Sequence, residues 1–225
     1  MKTLKFLKLT FALCLFLAMV SFTQADKEHE RINQSIDVLR DFSAMKESIP
    51  HQLLASYNGI VIIPHMLNAG FAIGGKHGRG IALVRLPDGT WSDPVFIELT
   101  GGSFGFQIGV QSVDLVLVFR HSGALSQVKN GDFTIGGDIS ATAGPVGRSS
   151  TASTDYKMEA EVYSYSRSRG LFAGISINGS NLGIDKKADA AYYGDNVAAR
   201  DIFAAQHSTT EAVLNLKKTL KEMAQ

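Results

Sequence analysis

Cysteine is almost missing from this chain of 225 residues: the one thiol is Cys14. It lies in an apolar stretch, Leu9 to Val20, that follows a basic start at Lys2, Lys5 and Lys8. Ser21 and Thr23 then lead to Ala25. Basic, apolar and small-polar segments in that order predict a secretory signal peptide over residues 1–25. The alternative, a membrane anchor, needs roughly 20 apolar residues, and this run is shorter. Phe11-Ala12-Leu13 also lacks the small residue that a lipid-attachment cysteine usually follows. Cleavage after Ala25 leaves no cysteine, which excludes disulfides, thiolate metal sites and a cysteine nucleophile.

An excess of one charge is lacking as well. Lysine and arginine number 22 against 21 acidic residues, and removing the three N-terminal lysines leaves 19 against 21. A nucleic-acid binder by bulk electrostatics wants a strong basic excess. Any anion binding must therefore come from a local cluster. Proline occurs 5 times, and no Pro-rich linker or low-complexity tract divides the chain. The processed length suits one domain with a proper core. The six histidines (29, 51, 65, 77, 121 and 207) are scattered without ligand spacing. No calcium-loop pattern is present either, so neither a metal nor a cofactor is expected.

Glycine, by contrast, is plentiful at 22 residues, and β-branched and aromatic residues surround it. Residues 27–45 carry Ile32, Ile36, Leu39 and Phe42 at helical spacing, and Pro50 suits the start of a second short helix through Tyr57. "GIVIIP" (59–64) reads as a strand buried on both faces. "AGFAIGG", "RGIALVRL", "PVFIEL", "SFGFQIGVQ" and "VDLVLVFR" continue a series of short strands. Turns are expected at "GGKHG", at Pro87-Asp88-Gly89 and at Gly102-Ser103. Further strands are expected in 131–144, 156–166, 170–179 and 181–185. "KKADAAYYG" closes as a helix on Gly194, and a last helix starts with Ser208 and Glu211 in capping-box register. These elements predict an α+β fold: one domain with a curved antiparallel β-sandwich or barrel-like core flanked by N- and C-terminal helices. The expected division is 1–25 signal peptide, 26–57 N-terminal amphipathic helices and 58–225 the main domain.

Three motifs bear on chemistry. "GGSFG" (101–105) fits G-x-S-x-G, which would make Ser103 a hydrolase nucleophile if a strand preceded it and a helix followed. The alternation of "FQIGVQS" instead reads as more strand, so catalysis is not expected. "GGKHGRG" (74–80) lacks the phosphate-loop order but sets Lys76, His77 and Arg79 on one glycine-rich stretch, either a solvated turn or an anion-binding nest. In "SYSRSRGLFAG" (164–174), Arg167 and Arg169 share a strand face with Tyr165 and Tyr163, and small serines share the other. Guanidiniums bind phosphate bidentately, and tyrosine sits well at a lipid interface. The alternative is an edge strand whose charges block aggregation. Asn33-Gln34-Ser35 and Asn178-Gly179-Ser180 are glycosylation sequons, meaningful only in a eukaryotic secretory route.

"GIVIIP" (59–64), "AGFAIGGKHGRGIALVR" (69–85), "DGTWSDPVFIEL" (88–99), "GFQIGVQSVDLVLVF" (105–119), "AGPVGR" (143–148), "SYSRSRGLFAG" and "YYG" (192–194) together resemble the SYLF domain family. The resemblance implies a non-enzymatic lipid-binding module, with phosphoinositides as ligands of eukaryotic relatives and actin as a partner of fungal ones. With a signal peptide, the chain is similar to secreted or periplasmic bacterial members, for which a general anionic phospholipid or an envelope protein is the expected partner. On this reading Arg167, Arg169, Lys76 and Arg79 contact lipid headgroups, and Tyr165, Phe172 or helix 27–45 contact the membrane.

Overall fold

The computed structural model describes residues 26–45, 48–123, 125, 133–135, 140–144, 160–168, 171–172, 175–195, 197–204, 206 and 208–225. For 71–73, 103–108, 133 and 172 it describes the backbone alone. The expected signal segment, Arg169 and the Phe172 side chain lie outside these residues.

Helix α1 covers 26–44, and its expected stripe is the buried one: Ile32, Ile36, Leu39 and Phe42 are each at most 3 % exposed. Helix α2, His51–Ser56, follows Pro50, whose carbonyl accepts the Leu53 and Leu54 N–H groups. The next two elements differ from expectation. Instead of six short strands there are two very long ones, β1 (Gly59–Val84) and β2 (Val95–Phe119), of 26 and 25 residues. "GGKHG" and Gly102-Ser103 are not turns; they face each other across the ribbon, Gly74 opposite Ser103 and Lys76 opposite Gly101. The connection at 85–94, which includes Pro87-Asp88-Gly89, is the real hairpin end.

A straight strand of that length would run roughly 85 Å, too long for this domain, so the ribbon doubles back. Register shifts between Ile63 and Met66 and between Gly70 and Ala72 mark its bends. The return leg passes so close to the outgoing leg that a Cβ on Gly80 would stand 2.0 Å from the Ile62 carbonyl oxygen. One on Gly78 would stand 2.6 Å from the Ile63 side chain. Past the end of the return leg, the Arg85 N–H donates to the Asn58 carbonyl at 2.9 Å. Glycine is needed at both crossings because nothing larger fits.

The remaining strands extend this curve: β3 (Phe133–Ile135), β4 (Ala141–Ala143), β5 (Val162–Ser168), β6 (Leu171–Phe172) and β7 (Ser180–Ile184). β7 pairs with the first part of β2 and β5 with its last part, both antiparallel. β5 is not an edge strand, since β4 and β6 pair with it on its other side. Helices α3 (Lys186–Tyr193), α4 (Ala199–Phe203) and α5 (Glu211–Met223) complete the chain. Gly194 caps α3 as expected. The N-cap of α5 is Thr210, not Ser208, and no side-chain cap bond forms there.

The sheet is buried on both faces. Ile60, Ile62, Ile81, Leu83, Phe96, Val116 and Val118 pack outward under α1, α2 and α5. Val61, Ile63, Val95, Ile97, Leu115 and Leu117 alternate with them and fill the inside of the curve, where α4 adds Ile202 and Phe203. The result is α+β: a barrel-like sheet, antiparallel except where β4 pairs parallel with β5, between N- and C-terminal helices.

Candidate ligand-binding groove

The strand alternation that builds two cores also separates the expected basic residues. On the return leg of β1, Lys76 points inward with Gly78 and Gly80, while His77 and Arg79 point outward. Lys76 is 6 % exposed, and its ammonium donates to the Ser176 carbonyl. Burial lowers its pKa below the ordinary amine value. Lys76 and Arg79 therefore do not form one patch.

Arg167 points outward from β5, but toward α1 rather than solvent. Its guanidinium meets Asp114 of β2 at 2.8 Å and also pairs with Asp41 of α1. It lies 5.9 Å from the centre of the Phe42 ring. Tyr165 is wholly buried in the outer core. The structure corrects the membrane-facing reading of these two: Arg167 fastens α1 to the sheet and Tyr165 packs beneath it. Sequence reasoning missed Asp41 and Asp114, because nothing in the local pattern shows which helix crosses the outer face of β5.

Arg79 is different. It is 56 % exposed in its side chain, and its carboxylate neighbours among the described residues, Glu98 and Asp185, are each 3.9 Å away. It opens onto a groove of about 280 Å³ between α1 and the bend of β1. From α1 come Lys27, Glu30, Arg31 and Gln34, at the spacings that place residues on one helical face. From β1 come His65 and Leu67 of the outgoing leg and His77 and Arg79 of the return leg.

His65 is held in an unusual way. Its φ is 50°, the left-handed region, and it is the non-glycine residue with positive φ among those described. It occupies the first bulge of β1; its backbone N–H donates to Asp114 Oδ1 at 2.9 Å, and its Nδ1 lies 3.4 Å from the same carboxylate. The bulge turns the imidazole toward the groove, and Asp114 holds the strained backbone there. On the other leg, His77 Nδ1 lies 3.4 Å from Glu98.

Behind the groove is a buried ionic cluster. Arg31 reaches Glu28 at 3.0 Å and Asp185 at 3.2 Å, and its guanidinium lies over the Phe96 ring. Asp185 also caps α3 by accepting the Ala188 N–H. Burial raises the pKa of Glu28, and it pushes that of Asp189 up to about 7 even though the Phe96 N–H donates to it. Arg31 thus mainly neutralises internal carboxylates. Lys27 and Arg79 remain as the groove's accessible permanent cations.

Ser103 lies in the continuous middle of β2 opposite Gly74, with more strand after it instead of a helix. The strand-turn-helix context of a nucleophile elbow is absent there. Among the described residues no cluster of metal-ligating side chains occurs, and no helix is long and apolar enough to cross a membrane.

A family model described as Ysc84, Las17-binding protein actin regulator, matches residues 100–223. The chain belongs to this Ysc84, or SYLF, family. Relatives include the SH3 domain-containing YSC84-like protein 1 of Rattus norvegicus, 32% identical over an alignment of 212 positions that covers 82% of this chain and 62% of the relative. The Xenopus laevis protein of the same name is 36% identical over 184 residues, 78% of this chain and 55% of it. LAS seventeen-binding protein 3 of Saccharomyces cerevisiae is 36% identical over 179 residues, 78% of this chain and 39% of it. The match thus spans between two fifths and under two thirds of these relatives. The family description names an actin regulator and the yeast relative's name a binding protein, which fits a non-enzymatic SYLF module. Residue 100 is in β2, so the family model starts after Arg79 and His77. The relatives' longer matches cover most of the chain.

Proposed function

We propose that this SYLF chain is a non-enzymatic module that docks on anionic phospholipid surfaces outside the cytosol, after removal of residues 1–25. The observation that carries this reading is the groove between α1 and the β1 bend. Lys27 and Arg79 reach solvent there from two different elements, and Leu67, 49 % exposed, stands at its rim. Two accessible cations with an apolar lip suit a phosphate headgroup whose acyl chains begin beside them. Each basic residue near an anionic surface contributes about 1 kcal/mol, so two give weak, reversible attachment that salt reduces. Of the basic residues expected from sequence, Arg79 keeps this role and Arg169 remains a candidate. Lys76 and Arg167 are occupied internally.

The test is co-sedimentation of the processed chain with vesicles of neutral lipid, alone or mixed with phosphatidylglycerol. The parent should pellet with the anionic vesicles at low salt, and Lys27→Ala/Arg79→Ala should bind them at least tenfold more weakly. Equal pelleting of parent and variant would remove the groove from the reading.

The relatives' names favour a second reading, a protein partner in place of a lipid. The same groove would then receive an acidic segment of that partner. A chain that ignores anionic vesicles yet retains a partner through Arg79 would support that reading over the first.

A further inference from the structure

We propose that His65 and His77 are proton-dependent ligands of this groove, so that the module grips an anionic surface more tightly as the medium acidifies. The inference rests on the lipid-docking reading above and adds its regulation. Three observations carry it. Both imidazoles line the groove although 12 residues and a full bend separate them in sequence. His65 is held in a left-handed backbone conformation at a bulge, and such strain persists only where the surroundings enforce it. Each ring Nδ1 also lies 3.4 Å from a carboxylate, Asp114 for His65 and Glu98 for His77.

The local balance of charge makes protonation matter. His65 faces Asp114 from β2, with Arg167 of β5 and Asp41 of α1 behind that carboxylate. His77 faces Glu98 from β2 beside Arg79, with Asp185 beyond. Lys27, Glu30 and Arg31 look onto both from α1. With neutral imidazoles, the three cations Lys27, Arg31 and Arg79 are outnumbered by the four acidic residues Glu28, Glu30, Glu98 and Asp185, which leaves no positive excess. Histidine is the side chain that ordinarily changes charge between pH 5 and 8. Two imidazoliums would tip the count to five cations against four acidic residues. The buried carboxyl of Asp189, its pKa raised to about 7, takes up a proton over an overlapping range, and burial raises the pKa of Glu28 as well, so both act in the same direction. The experiment must therefore separate the histidines from them.

Vesicles containing phosphatidylglycerol serve as the probe, because their phosphodiester keeps its single negative charge throughout the range. Affinity of the processed chain is measured at pH 7.5 and pH 5.5 at one low ionic strength. The expected gain on acidification is about fivefold for each histidine, the equivalent of one added charge near an anionic surface. His65→Asn/His77→Gln should reduce the gain to about twofold or less, with Glu28 and Asp189 left in place. Asparagine is chosen at 65 because it tolerates positive φ. His77→Gln alone, at an exposed strand position, should remove one fivefold step and shows the effect even if the variant at 65 folds poorly. A parent that binds equally at both pH values overturns the inference and leaves the lipid reading standing. So does a double variant that keeps the full gain. A parent that binds at neither pH overturns both.

Discussion

An alanine at position 167 would leave Asp114, 8 % exposed, and Asp41 without their guanidinium. Removing one member of a largely buried ionic group costs about 3 kcal/mol. Arg167→Ala should therefore lower the urea midpoint clearly. Arg79→Ala, half exposed and 3.9 Å from its carboxylates, should barely move it while weakening vesicle binding. If Arg167→Ala weakened binding at unchanged stability, the assignment of these two arginines would be reversed. Asp189 gives a second prediction at this scale. Its pKa is raised to about 7 in the folded chain, chiefly by burial, against about 4 when unfolded. The folded state thus holds a proton that the unfolded state has already lost. Stability from this group is full below about pH 4 and is lost as pH rises toward 7. Asp189→Asn, which can still accept the Phe96 N–H, should flatten that part of a thermal-midpoint profile. A profile with the same slope in the variant would show that another group is responsible.

At the scale of elements, the decisive feature is the doubled-back β1–β2 ribbon. Gly80→Ala would place a methyl group on the Ile62 carbonyl, and backbone cannot yield as a side-chain tip can. A loss of at least about 3 kcal/mol, or failure to fold, is expected. Gly75→Ala is the control, since among the described residues its Cβ would meet only the Gly101 carbonyl oxygen, at 3.9 Å. That variant should stay within about 1 kcal/mol of the parent by chemical denaturation. Equal cost at both positions would mean that glycine serves chain flexibility here and not close approach. Much of this scale was readable from sequence: the stripe of α1, the doubly buried "GIVIIP" and the Gly194 cap all occupy the expected positions. The length of β1 and β2 was not. Glycines inside a strand look like turns to any local reading. Only the cross-strand register, Gly74 opposite Ser103, shows the chain continuing through them.

For the whole molecule, the SYLF fold places helix α1 across the outer face of the sheet and ties it at two points. Arg31 joins Glu28 and Asp185 near one end, and Asp41 joins Arg167 near the other. The groove exists because α1 is held against the bend of β1, so its binding should fail together with the docking of α1. Leu39→Ala, at a wholly buried position of that helix, should cost about 3 kcal/mol and weaken vesicle binding as α1 loosens. Loss of stability with full binding would place the lipid site elsewhere. Composition and periodicity alone determined a single thiol, a near-neutral charge, an α+β class with flanking helices and the residues of the core. Those properties depend on residue type and on spacings of two and three to four along the chain. Which basic residues are free was decided by tertiary structure. Lys76 and Arg79 are three apart in sequence, yet the strand's alternation sends one into the barrel and the other to the groove. Arg167 finds its carboxylates 53 and 126 positions away, on β2 and α1, because burial makes an unpaired charge costly and the fold supplies partners from wherever the chain returns.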